Sequence, residues 1–185
     1  MENDALRELK QAFFAYRNGV VADRLRRAGD PHEFIMGCLL ADLRQTVRPY
    51  SPKEALADAL WAARRHRECR LAAPLVHPEV MSRDKALSWC CDVQCAEEAD
   101  VLCHGLLRRQ SYAEELSRQL MDATDAWCNY VGYRLLLNLL VLHRIEPTSA
   151  LRAQMIALLQ HPAPHLEPLL RAIVEELDDF SGVTN

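Results

Sequence analysis

The sequence predicts an all-α fold, a short α-solenoid in which antiparallel helix pairs stack into one array. Three observations predict it. Apolar residues recur at the helical period, turn residues divide the chain into short segments, and no stretch shows the β-branched alternation of a strand. Length and composition agree: 185 residues can bury one core, and a chain that is 50% hydrophobic and 26% charged with only six glycines is globular. Leucine and alanine dominate, and both favour helix. One domain spanning 1–185 is expected.

The elements follow in order. A face of Leu6, Leu9, Phe13 and Tyr16 marks a helix over 3–17, and a second follows over 20–28. Three segments have the form of a capping box, an N-cap residue followed three positions later by glutamate: Asp30-Pro31-His32-Glu33, Ser51-Pro52-Lys53-Glu54 and Ser111-Tyr112-Ala113-Glu114. In two of them proline takes the first helical position, where its missing N–H costs nothing. They predict helices over 31–48, 52–65 and 112–122. Further helices are expected over 67–76, 83–90, 92–109, 125–143, 149–160 and 164–179. The last is marked by Leu166, Leu169, Leu170, Ile173, Val174 and Leu177 on one face. The connections are short and carry Gly, Pro, Ser or Asp, which makes sequential helices antiparallel neighbours.

A formal net charge of -4 and a pI near 6.0 give no overall basic excess of the kind common in nucleic-acid binders. Nineteen of the 22 basic residues are arginine, the side chain suited to paired contacts with phosphate or carboxylate. No glycine-rich phosphate loop is present, so neither a nucleotide nor another cofactor is expected. Cys91 and Cys95 stand four apart at the start of the predicted 92–109 helix with Cys103-His104 two turns on, but without a CxxC pair or an HExxH motif no metal is expected. The seven cysteines, Cys38, Cys69, Cys90, Cys91, Cys95, Cys103 and Cys128, read as buried reduced thiols. The opening residues MENDALRELKQAF form neither a signal peptide nor a membrane span, and a cytoplasmic location is expected.

Three segments between Gly37 and Leu140 carry a family resemblance. GCLLADLRQTVRPYSPKEALADALWAARRHRECRLAAPLV holds Leu43-Arg44, Leu60-Trp61 and Glu68-Cys69-Arg70; LSWCCDVQCAEEADVLC holds Trp89 and Asp92; DAWCNYVGYRLLLNLL holds Trp127 and Arg134. On these residues the chain resembles the HEAT-like DNA alkylation repair family of AlkC/AlkD-type DNA glycosylases. The resemblance implies a HEAT-like α-α superhelix that binds duplex DNA and excises cationic alkylpurines. It assigns Trp89 and Asp92 to catalysis, and Arg134, Trp127, Trp61, Arg64, Arg65, Arg67 and Arg70 to substrate and DNA binding.

The chemistry behind those assignments is direct. An alkylated purine is cationic, and an indole face holds such a ring by cation–π attraction of about 0.5–2 kcal/mol. A carboxylate such as Asp92 can stabilise the positive charge that develops on the sugar as the glycosidic bond breaks, or orient a water. Structural roles compete at every position. The tryptophans can be core residues, Asp92 can cap a helix over 93–109, Glu68 can pair with Arg64 on a solvated face, and Arg134 can form an internal ion pair. A second functional reading is a non-catalytic helical scaffold that binds a protein partner through its concave face. The acidic pI, the three-residue Trp89–Asp92 spacing and the absence of tryptophan near 170–175 support it.

Overall fold

Leu9 and Phe13, one helical turn apart, are fully enclosed, while Leu6 is half-buried and Tyr16 lies past the end of the first helix, 42% exposed. The computed structural model describes residues 2–182, and side chains from Asp4 to Asp179. Among the described residues there are eleven α-helices and no strand, only a single parallel bridge between Phe34 and His66. The all-α prediction therefore holds. No helix among these residues is long and apolar enough to cross a membrane.

The chain divides into two compact units, Met1–Ser82 and Arg83–Asn185. The first contains α1 (Glu2–Ala15), α2 (Gly19–Arg27), α3 (Leu40–Val47), α4 (Glu54–Ala62) and α5 (Arg67–Val76). There α4 packs on α5, α3 on α5, and α1 on both α3 and α4. The second contains α6 (Arg83–Cys90), α7 (Ala96–Gly105), α8 (Ala113–Met121), α9 (Ala126–Val141), α10 (Ser149–Leu158) and α11 (Glu167–Gly182). The apolar α9 is its centre and packs against α6, α7, α8 and α11, while α10 lies on α11. Contacts between elements two apart, such as α3 with α5 and α7 with α9, are those of stacked helix pairs. Close approach of α8 to α9 depends on Gly132, where a Cβ would stand 2.5 Å from the Met121 nitrogen.

The helix starts differ from the sequence reading in an instructive way. Residues 31–39, expected to open a helix, are irregular, and α3 begins only at Leu40. Asp30 does not cap a helix; its Oδ1 accepts the His32 backbone N–H at 3.0 Å and the His32 ring Nδ1–H at 2.7 Å. The following backbone is satisfied by distant partners. Phe34 N–H donates to the Arg65 carbonyl, Arg67 N–H donates to the Phe34 carbonyl, and Glu68 accepts the N–H groups of Met36 and Gly37 at 3.1 and 2.9 Å. Gly37 has φ +77°, and a Cβ there would lie 2.3 Å from the Asn18 carbonyl oxygen. Those long-range bonds outcompete the local helix signal.

The other two boxes also shift. α4 begins at Glu54 after Lys53, and α8 begins at Ala113 after Tyr112, in both cases with no side-chain cap bond. Side-chain caps form instead at Asn18, Asp125 and Thr148, which accept from Val21, from Trp127 and Cys128, and from Leu151.

Candidate functional site

In the C-terminal unit the residues singled out by sequence separate into two groups. Trp89 lies on α6 and is 5% exposed, so its indole is enclosed by protein. Asp92 sits in the turn that follows, half-buried, with its N–H donating to the Trp89 carbonyl at 3.1 Å. It is not a helix N-cap, because α7 starts at Ala96 after Cys95.

Trp127 and Arg134 form the other group. They stand seven apart on α9, which puts them on one helix face with Tyr130 between them. The half-buried Trp127 ring meets Tyr130 edge-on at 5.6 Å between centroids and lies 5.8 Å from the His165 ring. Arg134 finds its counter-charge on α7, with Nε 3.0 Å from Asp100 Oδ1, in an ion pair whose Nε–H is not aligned as a hydrogen bond. The Tyr130 hydroxyl donates to the same carboxylate oxygen at 3.5 Å. Burial nevertheless raises the Asp100 carboxyl above its ordinary range, because the opposing pull of Arg134 and Tyr130 does not fully offset desolvation. Burial and the neighbouring Asp100 push the Tyr130 phenol up to about 12. The result is a partly desolvated carboxylate beside a guanidinium and a phenol hydroxyl.

Sequence reasoning missed Asp100, Tyr130 and His165. Two signals were present: Tyr130 is one turn from both Trp127 and Arg134, and Asp100 interrupts the buried run Ala99, Val101, Leu102 and Cys103.

In the N-terminal unit the arginine cluster is split by secondary structure. α4 ends at Ala62 and α5 starts at Arg67, so Arg64 and Arg65 project from the intervening turn and are exposed. Arg65 pairs with Glu33 and lies 5.2 Å over the Phe34 ring. Arg67 and Arg70 turn inward, which corrects their reading as DNA contacts. Arg70 is fully buried, stacks 3.6 Å over the Trp61 ring and donates to the Trp61 carbonyl at 2.7 Å. Arg67 donates to Glu68 at 2.9 Å and to the Cys38 carbonyl at 3.3 Å, with Asp30 at 4.0 Å. Glu68 thus pairs with Arg67 rather than with Arg64. Trp61 itself is 5% exposed, a core residue beneath Arg70.

Charge is unevenly shared. The N-terminal unit has 13 basic and 11 acidic residues, the C-terminal unit 9 and 15. α2 carries Arg24, Arg26 and Arg27 in its last turn, where the helix dipole favours cations. Among the described residues no carboxylate pairs with Arg24 or Arg27, whereas Arg26 is held by Asp23 at 3.0 Å. Five of the seven thiols are buried, Cys95 is half-buried, and Cys91 is exposed against expectation. No three His, Cys, Asp or Glu side chains among the described residues converge as a metal site would.

With this geometry established, comparison with known proteins gives one informative likeness. A solved structure reported as "A new family of proteins related to the HEAT-like repeat DNA glycosylases with affinity for branched DNA structures" superposes with a TM-score of 0.77. The match covers 93% of this chain and 75% of the other, at 12% sequence identity. The chain has a HEAT-like fold. No family model matches the sequence, and no curated protein matches it either. At this identity the likeness concerns the HEAT-like fold alone, which is the architecture expected from the sequence.

Proposed function

We propose that this HEAT-like chain is a DNA-binding protein with affinity for branched DNA. The observation that carries the reading is the fold likeness, spanning 93% of the chain, to proteins with that affinity. The surplus of basic residues in the N-terminal unit supports it, since phosphate contacts depend on where arginines sit rather than on net charge. The test is fluorescence anisotropy with a four-way junction, a splayed fork and an intact duplex, titrated between about 50 and 200 mM salt. Branched DNA should bind more tightly than duplex, with affinity falling linearly on a log–log salt plot. Failure to bind any DNA at low salt would overturn the reading and favour a scaffold for a protein partner.

A second reading, excision of cationic alkylpurines, is supported by the carboxylate-and-aromatic grouping of the C-terminal unit. Trp89 is enclosed, so the base-holding role falls to Trp127, with Asp92 or Asp100 facing the developing sugar charge. Release of N7-methylguanine from duplex DNA, compared among wild type, Asp92→Asn and Asp100→Asn, decides it. Equal rates at the spontaneous level in all three would sink excision and leave DNA binding intact.

A further inference from the structure

At the junction of α1 and α2 the N-terminal unit has an open groove of about 530 Å³. Phe14, Arg17, Gly19, Arg26, Ile35 and Met36 are among its walls. Phe14 is an aromatic residue left 55% exposed on an otherwise amphipathic helix. The Arg17 guanidinium lies 4.1 Å over its ring, and Nη1 donates to the Phe14 carbonyl at 3.1 Å. On the α2 side, Arg26 is fixed by Nη1 donating to Asp23 and Nη2 donating to the Ile35 carbonyl, each at 3.0 Å. Each guanidinium is thus anchored through part of its fork. A guanidinium has five N–H donors, so both keep donors to offer a ligand. Arg24 and Arg27 continue the positive edge beyond the groove.

A stacking ring, an apolar wall and two oriented guanidiniums match one ligand chemistry, a nucleotide with its base against the ring and its phosphate against the arginines. A base inside a duplex has no free face to stack. An unpaired base has a free face, and the single-stranded arms at the branch point of a splayed fork supply such bases where an intact duplex does not. We infer that the Phe14–Arg17 groove receives an unpaired nucleotide at the branch point of a branched DNA. The inference rests on the DNA-binding reading above and adds the element that distinguishes branched from continuous duplex.

The test compares the full chain with Phe14→Ala, Arg17→Gln and Phe14→Trp, using a splayed fork and an intact duplex of the same sequence. Urea midpoints confirm that each variant is folded. Phe14→Ala and Arg17→Gln should each weaken fork binding by about 5-fold or more while leaving duplex binding unchanged, so the fork-to-duplex ratio collapses. Phe14→Trp, which keeps a stacking face, should retain the wild-type ratio. Fork binding unchanged in Phe14→Ala would overturn the inference, as would equal weakening for both DNAs. A shift in oligomeric state with unchanged DNA binding would overturn it too, by making the groove a self-association face. Wild type that binds neither DNA would instead overturn the DNA-binding reading itself.

Discussion

The two units differ in how much charge they enclose: Arg67, Glu68 and Arg70 in the first, Glu98 in the second. In the N-terminal unit Arg67, Glu68 and Arg70 are inside, none more than 4% exposed, and Arg67 and Glu68 hold the non-helical stretch 31–39. In the C-terminal unit the buried centre is the apolar α9, and Glu98 is the enclosed charge among the described residues, accepting the Gln94 N–H at 2.9 Å in the turn before α7, while the Arg134–Asp100 pair stays 27% and 40% exposed at the side chains. The difference has a physical cause. A helix satisfies its own backbone, so α9 can be packed with leucine; an irregular connection cannot, so a buried carboxylate is brought in to accept its N–H groups. Enclosed charge in both units serves the backbone of an irregular connection, more extensively in the first, where two N–H groups and a second ion are involved.

The sharpest way to break this contrast is to remove Glu68. Glu68→Ala should destabilise the protein by about 3–5 kcal/mol, because it leaves the buried Arg67 with the more distant Asp30, at 4.0 Å, and two backbone N–H groups without an acceptor. Urea unfolding measures it. A loss under about 1 kcal/mol would mean that water replaces the carboxylate.

A smaller effect separates the caps that form from those the sequence advertises. Asp125→Ala should cost about 1 kcal/mol, since Asp125 Oδ1 accepts the N–H groups of Trp127 and Cys128 at 3.1 and 2.8 Å. Ser111→Ala should stay within about 0.5 kcal/mol, as α8 carries no side-chain cap. Thermal unfolding of the two variants provides the comparison, and equal losses would contradict the assignment.

The smallest effect concerns pH. Burial raises the Asp100 pKa above its unfolded value, so folding favours the protonated form. Its contribution is fully present below the ordinary value of 3.8 and is lost as pH rises through the higher folded value. The stability difference, wild type minus Asp100→Asn, should therefore fall with rising pH across that window. A difference that rises instead would show that Arg134 outweighs burial.

Much of the fold was legible because helical periodicity is local. The eleven helices were all anticipated, and α5 and α6 match the expected spans. The failures occurred where distant partners decide. Nothing near Asp30 reveals that Glu68 will accept the 36–37 backbone, or that Asn18 will sit against Gly37. The site was legible in halves. Trp127 and Arg134 share a face by spacing alone, but their Asp100 partner comes from α7, and no spacing rule connects it to α9. Arg67 and Arg70 looked like surface cations because four neighbouring arginines suggest a patch; the break between α4 and α5 sends two outward and two inward.

In the DNA-binding reading proposed above, the basic edge of the N-terminal unit supplies the phosphate contacts. The most direct test is the salt-dependent affinity for a splayed fork of the Arg24→Glu/Arg27→Glu variant, against Arg109→Glu in the C-terminal unit as a control. The double variant should weaken binding by about tenfold or more and lower the salt slope by about 2, while Arg109→Glu binds as wild type does. Loss in the Arg109 variant with the α2 variant unaffected would place the DNA contacts in the C-terminal unit instead.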